Sequence, residues 1–382
     1  MSSSGEKLNI LISMNSFKGC LSALEGNNIV KNTLKDYNFN IHQVPLVDGG
    51  TGSLEAWSYI LKKQVQYVNT QNPINKTIKA PIIIDNNKAY IEMAQASGIH
   101  LTNKKIDILK KTTYGTGLLI KYALQKGCTD IYLGLGGSAT HDLGTGIMRA
   151  LGVKFYNSNS QELHTARDML HLHHINTSEL SINAQRANFT LLCDVNNKLC
   201  GEYGAAKVFA PQKGAYSEQL VNECELLSTV FVNYYKKQGI EFGKNSGDGA
   251  AGGIPALLST LLNVKIKSGA DYVLELCKVP QKIANFDLVI TGEGRFDEQS
   301  FYGKGPGAIV ELASKHMIPT IVLAGGYRNI KSSYKNVSLF SIVPYPCKLQ
   351  SSFNNAANWL QDSALNAVKL FINGYTLGVR AK

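Results

Sequence analysis

The chain has 382 residues, 44% hydrophobic and 18% charged, which is too long for one ordinary core and excludes a disordered chain. Its net charge of +11 rests on scattered lysines, with Arg supplying only six of 39 basic residues, so a solvated surface is expected and no nucleic-acid partner. No apolar run approaches the ~20 residues of a membrane span, no basic-then-apolar leader opens the chain, and the seven cysteines contain no C-x-x-C pair, which together predict a cytoplasmic protein with reduced thiols and no membrane partner.

Residues 8–13 read as a first apolar strand, followed by Asn15-Ser16-Phe17-Lys18-Gly19 and a helix predicted over 22–34. A hydroxyl, an amine and free amides at a helix start suit an anion, with a surface turn as the plainer alternative. Residues 41–46 form a second strand, and Val47-Asp48-Gly49-Gly50-Thr51-Gly52 leads into a helix over 53–62. Asp48 suits Mg²⁺, a proton or a helix cap. At 78–84 and 88–93 the pattern changes to a β-hairpin around Asp85-Asn86-Asn87, taken as the start of a second domain.

A helix is predicted over 112–125 and a buried strand over 130–135. The loop that follows contains Gly136, Gly137, Ser138, Ala139 and Thr140, small residues whose backbone N–H groups can surround a phosphate. No G-x-x-x-x-G-K-[ST] occurs, and no acidic residue completes a dinucleotide fingerprint. His171, His173 and His174 lack the spacing of a helical metal pair. A strand over 189–193 ends at Asp194, which suits a general base, a metal ligand or an Asx turn. Residues 208–214 place Lys213 in a turn, and helices follow over 217–237 and 250–262.

The run Leu288, Val289, Ile290 then breaks at Thr291-Gly292-Glu293-Gly294, and Glu293, Arg295, Asp297, Glu298 and Lys304 crowd among glycines. Such a loop at the carboxyl end of a parallel strand is where α/β sheets bind ligands. Arg295, planar and permanently charged, suits a carboxylate or phosphate. A helix over 307–316, strands over 319–323 and 337–343 and a helix over 354–372 close the chain. The predicted fold class is α/β, with a discontinuous Rossmann-like domain over 1–77 and 286–382 and a second α/β domain inserted over 78–285.

In order, Ser16-Phe17-Lys18-Gly19, Asp48-Gly49-Gly50, Gly134 through Thr140, Cys193-Asp194-Val195, Pro211-Gln212-Lys213-Gly214 and Thr291 through Arg295 resemble the type I glycerate kinases of bacteria, over residues 8–372. The resemblance implies a Rossmann-like or flavodoxin-like domain carrying an inserted one. It also implies transfer of the γ-phosphoryl group of ATP to D-glycerate, giving 2-phosphoglycerate in the members closest to this pattern. On that reading Lys18, Asp194 and Arg295 are catalytic, and Ser16, Lys18, Asp48 and Arg295 bind substrate. Gly136, Gly137, Ser138, Ala139, Thr140 and Lys213 follow the ATP phosphates, and Asp48, Glu293 and Asp297 ligate Mg²⁺. Asn15 stands where the family usually has Asp, Thr51 where it has Glu, and His141-Asp142-Leu143 where it has Asn-Asp-Gly. Two alternatives stand beside this: the 134–139 loop alone also resembles that of galactokinases and homoserine kinases, and a non-catalytic binder of phosphorylated sugar acids would retain the loops without turnover. Whether the chain forms a homodimer is left open.

Overall fold

The computed structural model describes residues 7–103, 105–301, 305–328 and 334–380, so Lys304 of the charged loop lies outside the described residues. The chain divides into two compact units, one formed by residues up to Asp48 together with those from Ser268 onward, the other by Gly49–Lys267. These borders differ from 77/78 and 285/286. Residues 49–77 go with the second unit because Gln66–Gln71 forms a strand that pairs antiparallel with Thr77–Asp85, from Gln66↔Ile82 to Gln71↔Thr77. That strand is mostly exposed and has no apolar run to announce it.

The first unit holds a five-stranded, wholly parallel sheet in the order Val337–Ser341, Thr320–Ala324, Leu288–Glu293, Leu8–Met14, Phe39–Gln43. Numbered within the unit, this is the 2-1-3-4-5 order of flavodoxin-like folds, whose switch point lies between the first and third strands. Those strands, Leu8–Met14 and Leu288–Glu293, are buried through Ile10–Ile12 and Leu288–Ile290, which explains their continuous apolar sequence. The helix Ala23–Thr33 starts at Ser22 in a capping box: Ser22 Oγ accepts from the Glu25 amide (3.1 Å) and the Glu25 carboxylate from the Ser22 amide (2.7 Å). Val30 of this helix shares the core with Leu360, Ala364 and Val368 of the closing helix, Leu349–Arg380.

The second unit contains a six-stranded mixed sheet: Asn263–Lys267, Asn188–Leu192, Asp130–Gly134, Lys88–Glu92, Thr77–Asp85 and Gln66–Gln71. The first four are parallel, and the predicted hairpin, turned by Asn86 at φ 55°, supplies the antiparallel continuation. Here spatial order follows chain order without a reversal. The helix expected over 250–262 is divided: Ala250–Gly252 is a single 3₁₀ turn, Gly253 takes φ +97°, and the α-helix is Ile254–Leu261 with proline in its first turn. The predicted turn at 208–214 comprises the end of the helix Ala205–Phe209 and the 3₁₀ turn Pro211–Lys213.

Candidate functional site

The first unit gathers its charged side chains at the switch point. Beyond Met14 the chain is held by the Asn15 amide on Gly292 O (2.8 Å), while Asn15 Oδ1 accepts from the Ser16 amide (2.7 Å). Asn15 is therefore a buried backbone brace, a task its amide performs without the carboxylate usual there. Phe17 is buried beneath the turn, and Lys18 projects with 82% of its side chain exposed, its Nζ 3.9 Å from Asp48 Oδ2. From the neighbouring strand end, Arg295 is 70% exposed and its Nε contacts Asp297 Oδ2 at 2.9 Å. Asp297 is positioned by its amide on Ser300 Oγ (3.1 Å).

Glu293 stands between these groups. Burial pushes its carboxyl up to about 7, Ser300 and Lys18 pull it back, and Asp297 and Asp48 raise it further. Its Oε1 has no hydrogen-bond partner among the described residues. Glu293 thus senses the charges of Asp48 and Asp297, yet among the described residues no three acidic, His or Cys side chains form a ready-made metal cluster.

The second unit carries the glycine and hydroxyl loop after Asp130–Gly134. Backbone packs on backbone here: the Gly136 amide donates to Gly49 O (3.0 Å), and a Cβ on Gly136 would lie 2.4 Å from Gly50 Cα. The amides of Leu135 and Ala139 donate to Leu192 O (3.1 Å) and Ser97 O (2.8 Å). The N–H groups of Gly136 and Ala139, expected to face phosphates, therefore anchor the loop instead. Gly137, at φ +72°, is the exposed position.

Lys213 also departs from expectation. Only 4% exposed, it donates from Nζ to Ser138 Oγ (2.6 Å) and Thr140 O (2.9 Å), and burial lowers its pKa to about 7. It holds the loop from within rather than reaching outward to a cofactor. Sequence reading missed Lys111, whose equally buried Nζ donates to Lys213 O at 2.7 Å. Its Lys-Thr-Thr context resembles any polar approach to a helix.

The unusual His141-Asp142 pair is internal. His141 donates from Nε2 to Cys224 O (3.1 Å) on the helix Glu218–Lys236, and burial keeps it neutral by lowering its pKa to about 3. Asp142 accepts from Thr113 N and Oγ1 (both 2.8 Å), Gly144 N (3.1 Å) and Gly146 N (3.3 Å), so one carboxylate caps two helix starts. On the adjacent strand end, Asp194 is half-buried, and the Cys193 amide before it is fixed on Lys267 O at 3.0 Å.

Fold and loops together define a two-unit α/β protein with charged groups at a switch point in one unit and a glycine-hydroxyl loop in the other. The glycerate kinase family pattern matches residues 10–372. The glycerate kinase of Halalkalibacterium halodurans is 34% identical over 370 residues, covering 94% of this chain and 96% of that protein. The glycerate 2-kinase of Escherichia coli K12 is 36% identical over 325 residues, covering 83% and 85%. A crystal structure provisionally assigned as glycerate kinase 2 of Salmonella typhimurium LT2 superposes with a TM-score of 0.84 at 29% identity, covering 97% of this chain and all of that one. The chain belongs to the glycerate kinase family.

Proposed function

We propose that the protein transfers the γ-phosphoryl group of ATP to D-glycerate, with the 2-hydroxyl as acceptor. The observation that carries this is the pair of exposed cations, Lys18 and Arg295, projecting from the two strand ends that flank the switch point. They suit a small substrate with one carboxylate, and Ser16 and Asp48 offer partners to its hydroxyls. A sugar lacks the carboxylate that two cations favour. Homoserine carries an ammonium group that they repel.

Phosphoryl transfer requires alignment, charge neutralisation and a route for the hydroxyl proton. Asp194 is the proposed proton acceptor, and the Gly137–Ser138 edge of the second unit's loop takes nucleotide phosphates. The acidic side chains of the first unit fit Mg²⁺, which commonly uses one or two carboxylates plus substrate oxygens. Burial is the main cause that raises the Glu293 carboxyl, with Asp297 and Asp48 adding to it, and a cation bound beside it would favour its ionised form. Glu293, Asp48 and Asp297 are the candidates to hold the ion, one or two of them together with substrate oxygens, and the ion when bound would neutralise phosphate charge. The fold has no helix long and apolar enough to cross a membrane among the described residues, and action on a soluble metabolite in the cytoplasm accords with this.

The test is ADP release from ATP and Mg²⁺ with D-glycerate, in parallel with L-glycerate, glycolate, galactose and homoserine, and identification of the product by NMR. Turnover restricted to D-glycerate with phosphate on the 2-oxygen is the expected result. Binding of glycerate without ADP release in any arm would replace the kinase with a non-catalytic binder.

A further inference from the structure

The second unit buries two lysines where apolar side chains would avoid the cost of desolvating an amine. Neither Lys111 nor Lys213 forms an ion pair among the described residues. Instead Lys111 Nζ fixes the Lys213 carbonyl, and Lys213 Nζ fixes Ser138 and Thr140, so three chain segments are tied through two amines. The carboxylate felt by Lys213 is Asp142, which is already occupied by four donors. His141 is neutral, and the Cys224 thiol is held protonated, its pKa raised to about 12 by burial. Among the described residues Lys213 therefore has hydrogen-bond acceptors but no ion-pair partner of its own.

The bond to Ser138 has a directional consequence. When Lys213 is an ammonium it has only donors, so Ser138 Oγ accepts as Thr140 O does, and the hydroxyl proton is left for another acceptor. Beside it, Gly137 is exposed at φ +72° and contributes no side chain to obstruct an approaching group.

We propose that Lys213 is a positioning residue for phosphate recognition: without touching the nucleotide, it holds the Ser138 hydroxyl and the Thr140 carbonyl and so fixes the orientation of that hydroxyl and the shape of the loop beside the exposed Gly137. This rests on the reading that the Gly137–Ser138 edge of the loop takes the nucleotide phosphates. The arrangement exceeds what mere filling requires, because both acceptors of the amine belong to that one loop and the shorter bond goes to its hydroxyl.

Calorimetric titration of ADP and of D-glycerate, separately, into wild type, Lys213→Met, Ser138→Ala and the double variant tests the inference, with thermal unfolding reporting the folded fraction. The expected result is that Lys213→Met weakens ADP binding by about tenfold to a hundredfold, the worth of one charge-assisted hydrogen bond, with glycerate affinity unchanged. Ser138→Ala should weaken ADP binding in the same sense. The double variant should be no weaker than the poorer single one, because the two residues act through one hydroxyl. Wild-type affinity for ADP in Lys213→Met, strictly additive losses, or parallel loss of both ligands would overturn the proposal. Should Lys213→Met fail to fold, Ser138→Ala decides alone, and undiminished ADP binding there rejects the proposal. Wild type that binds glycerate but not ADP would reject the reading of the loop itself, a result separable from failure of the variants.

Discussion

Two lysines, each followed by glycine in a four-residue motif, have opposite fates: Lys18 in the first unit has 82% of its side chain in solvent, whereas Lys213 in the second is 4% exposed. The exposed amine can meet a ligand, and its 3.9 Å approach to Asp48 contributes little to stability. The buried amine cannot reach a ligand freely, but its two hydrogen bonds govern the shape of a loop. The same residue type is thus displayed in one unit and a support in the other, and the difference is burial. Each unit's loops follow this division, with charge displayed at the switch point and charge enclosed beneath the glycine-hydroxyl loop.

The largest effect expected falls on neither lysine. Asp194→Asn should lower kcat by about a thousandfold, the scale of losing a general base, with circular dichroism and Tm unchanged; near-normal turnover would remove Asp194 from the chemistry. On the displayed side, Arg295→Ala should raise KM for D-glycerate by about tenfold and leave ADP affinity unaltered, in contrast with Lys213→Met. Equal effects of both variants on both ligands would erase the proposed contrast.

Backbone packing sharpens it further. A Cβ on Gly49, which has φ +80°, would lie 2.2 Å from Leu192 O, whereas Gly52 at φ +93° faces open space. Gly49→Ala should destabilise by about 3 kcal/mol or more and Gly52→Ala by about 1 kcal/mol, measured by urea denaturation.

Glu293 gives a pH signature. Its folded value of about 7 exceeds the ordinary 4.5, so its contribution to stability is fully present below 4.5 and is lost as pH rises through about 7. In chelator, Glu293→Gln should therefore exceed wild type in Tm at pH 8 and approach it at pH 4.5. A constant offset between the two curves would show that burial does not perturb this carboxyl. The smallest effect belongs to Ser22→Ala, which removes the acceptor of the Glu25 amide and should cost about 1 kcal/mol in the same denaturation experiment.

Much of this was legible in one dimension. The hairpin at Asn86, the helix beginning at Ser22 and the strand Leu288–Glu293 follow from turn chemistry, capping residues and a β-branched run, all local properties. Six ordered motifs were likewise sufficient to reveal the family. The border of the units was not legible, since Gln66–Gln71 is an edge strand that reveals itself only through its pairing with Thr77–Asp85. The roles of Gly136, Ala139 and Lys213 were equally hidden. Small residues announce that a backbone can approach something, and here the close neighbours of Gly136 are Gly49 and Gly50.

By itself, then, the sequence determined most of the strands and helices, though not Gln66–Gln71 or the break at Gly253, which charged residues gather in loops and which family the chain belongs to, because each depends on side-chain type and local order. The tertiary structure alone decided which amine is displayed and which is enclosed, which amides are already bonded, and that Asn15 and His141 serve as braces. Those outcomes depend on solvent exposure and on partners far away in sequence, as with His141 and Cys224, and neither is a property of a residue read in its place along the chain.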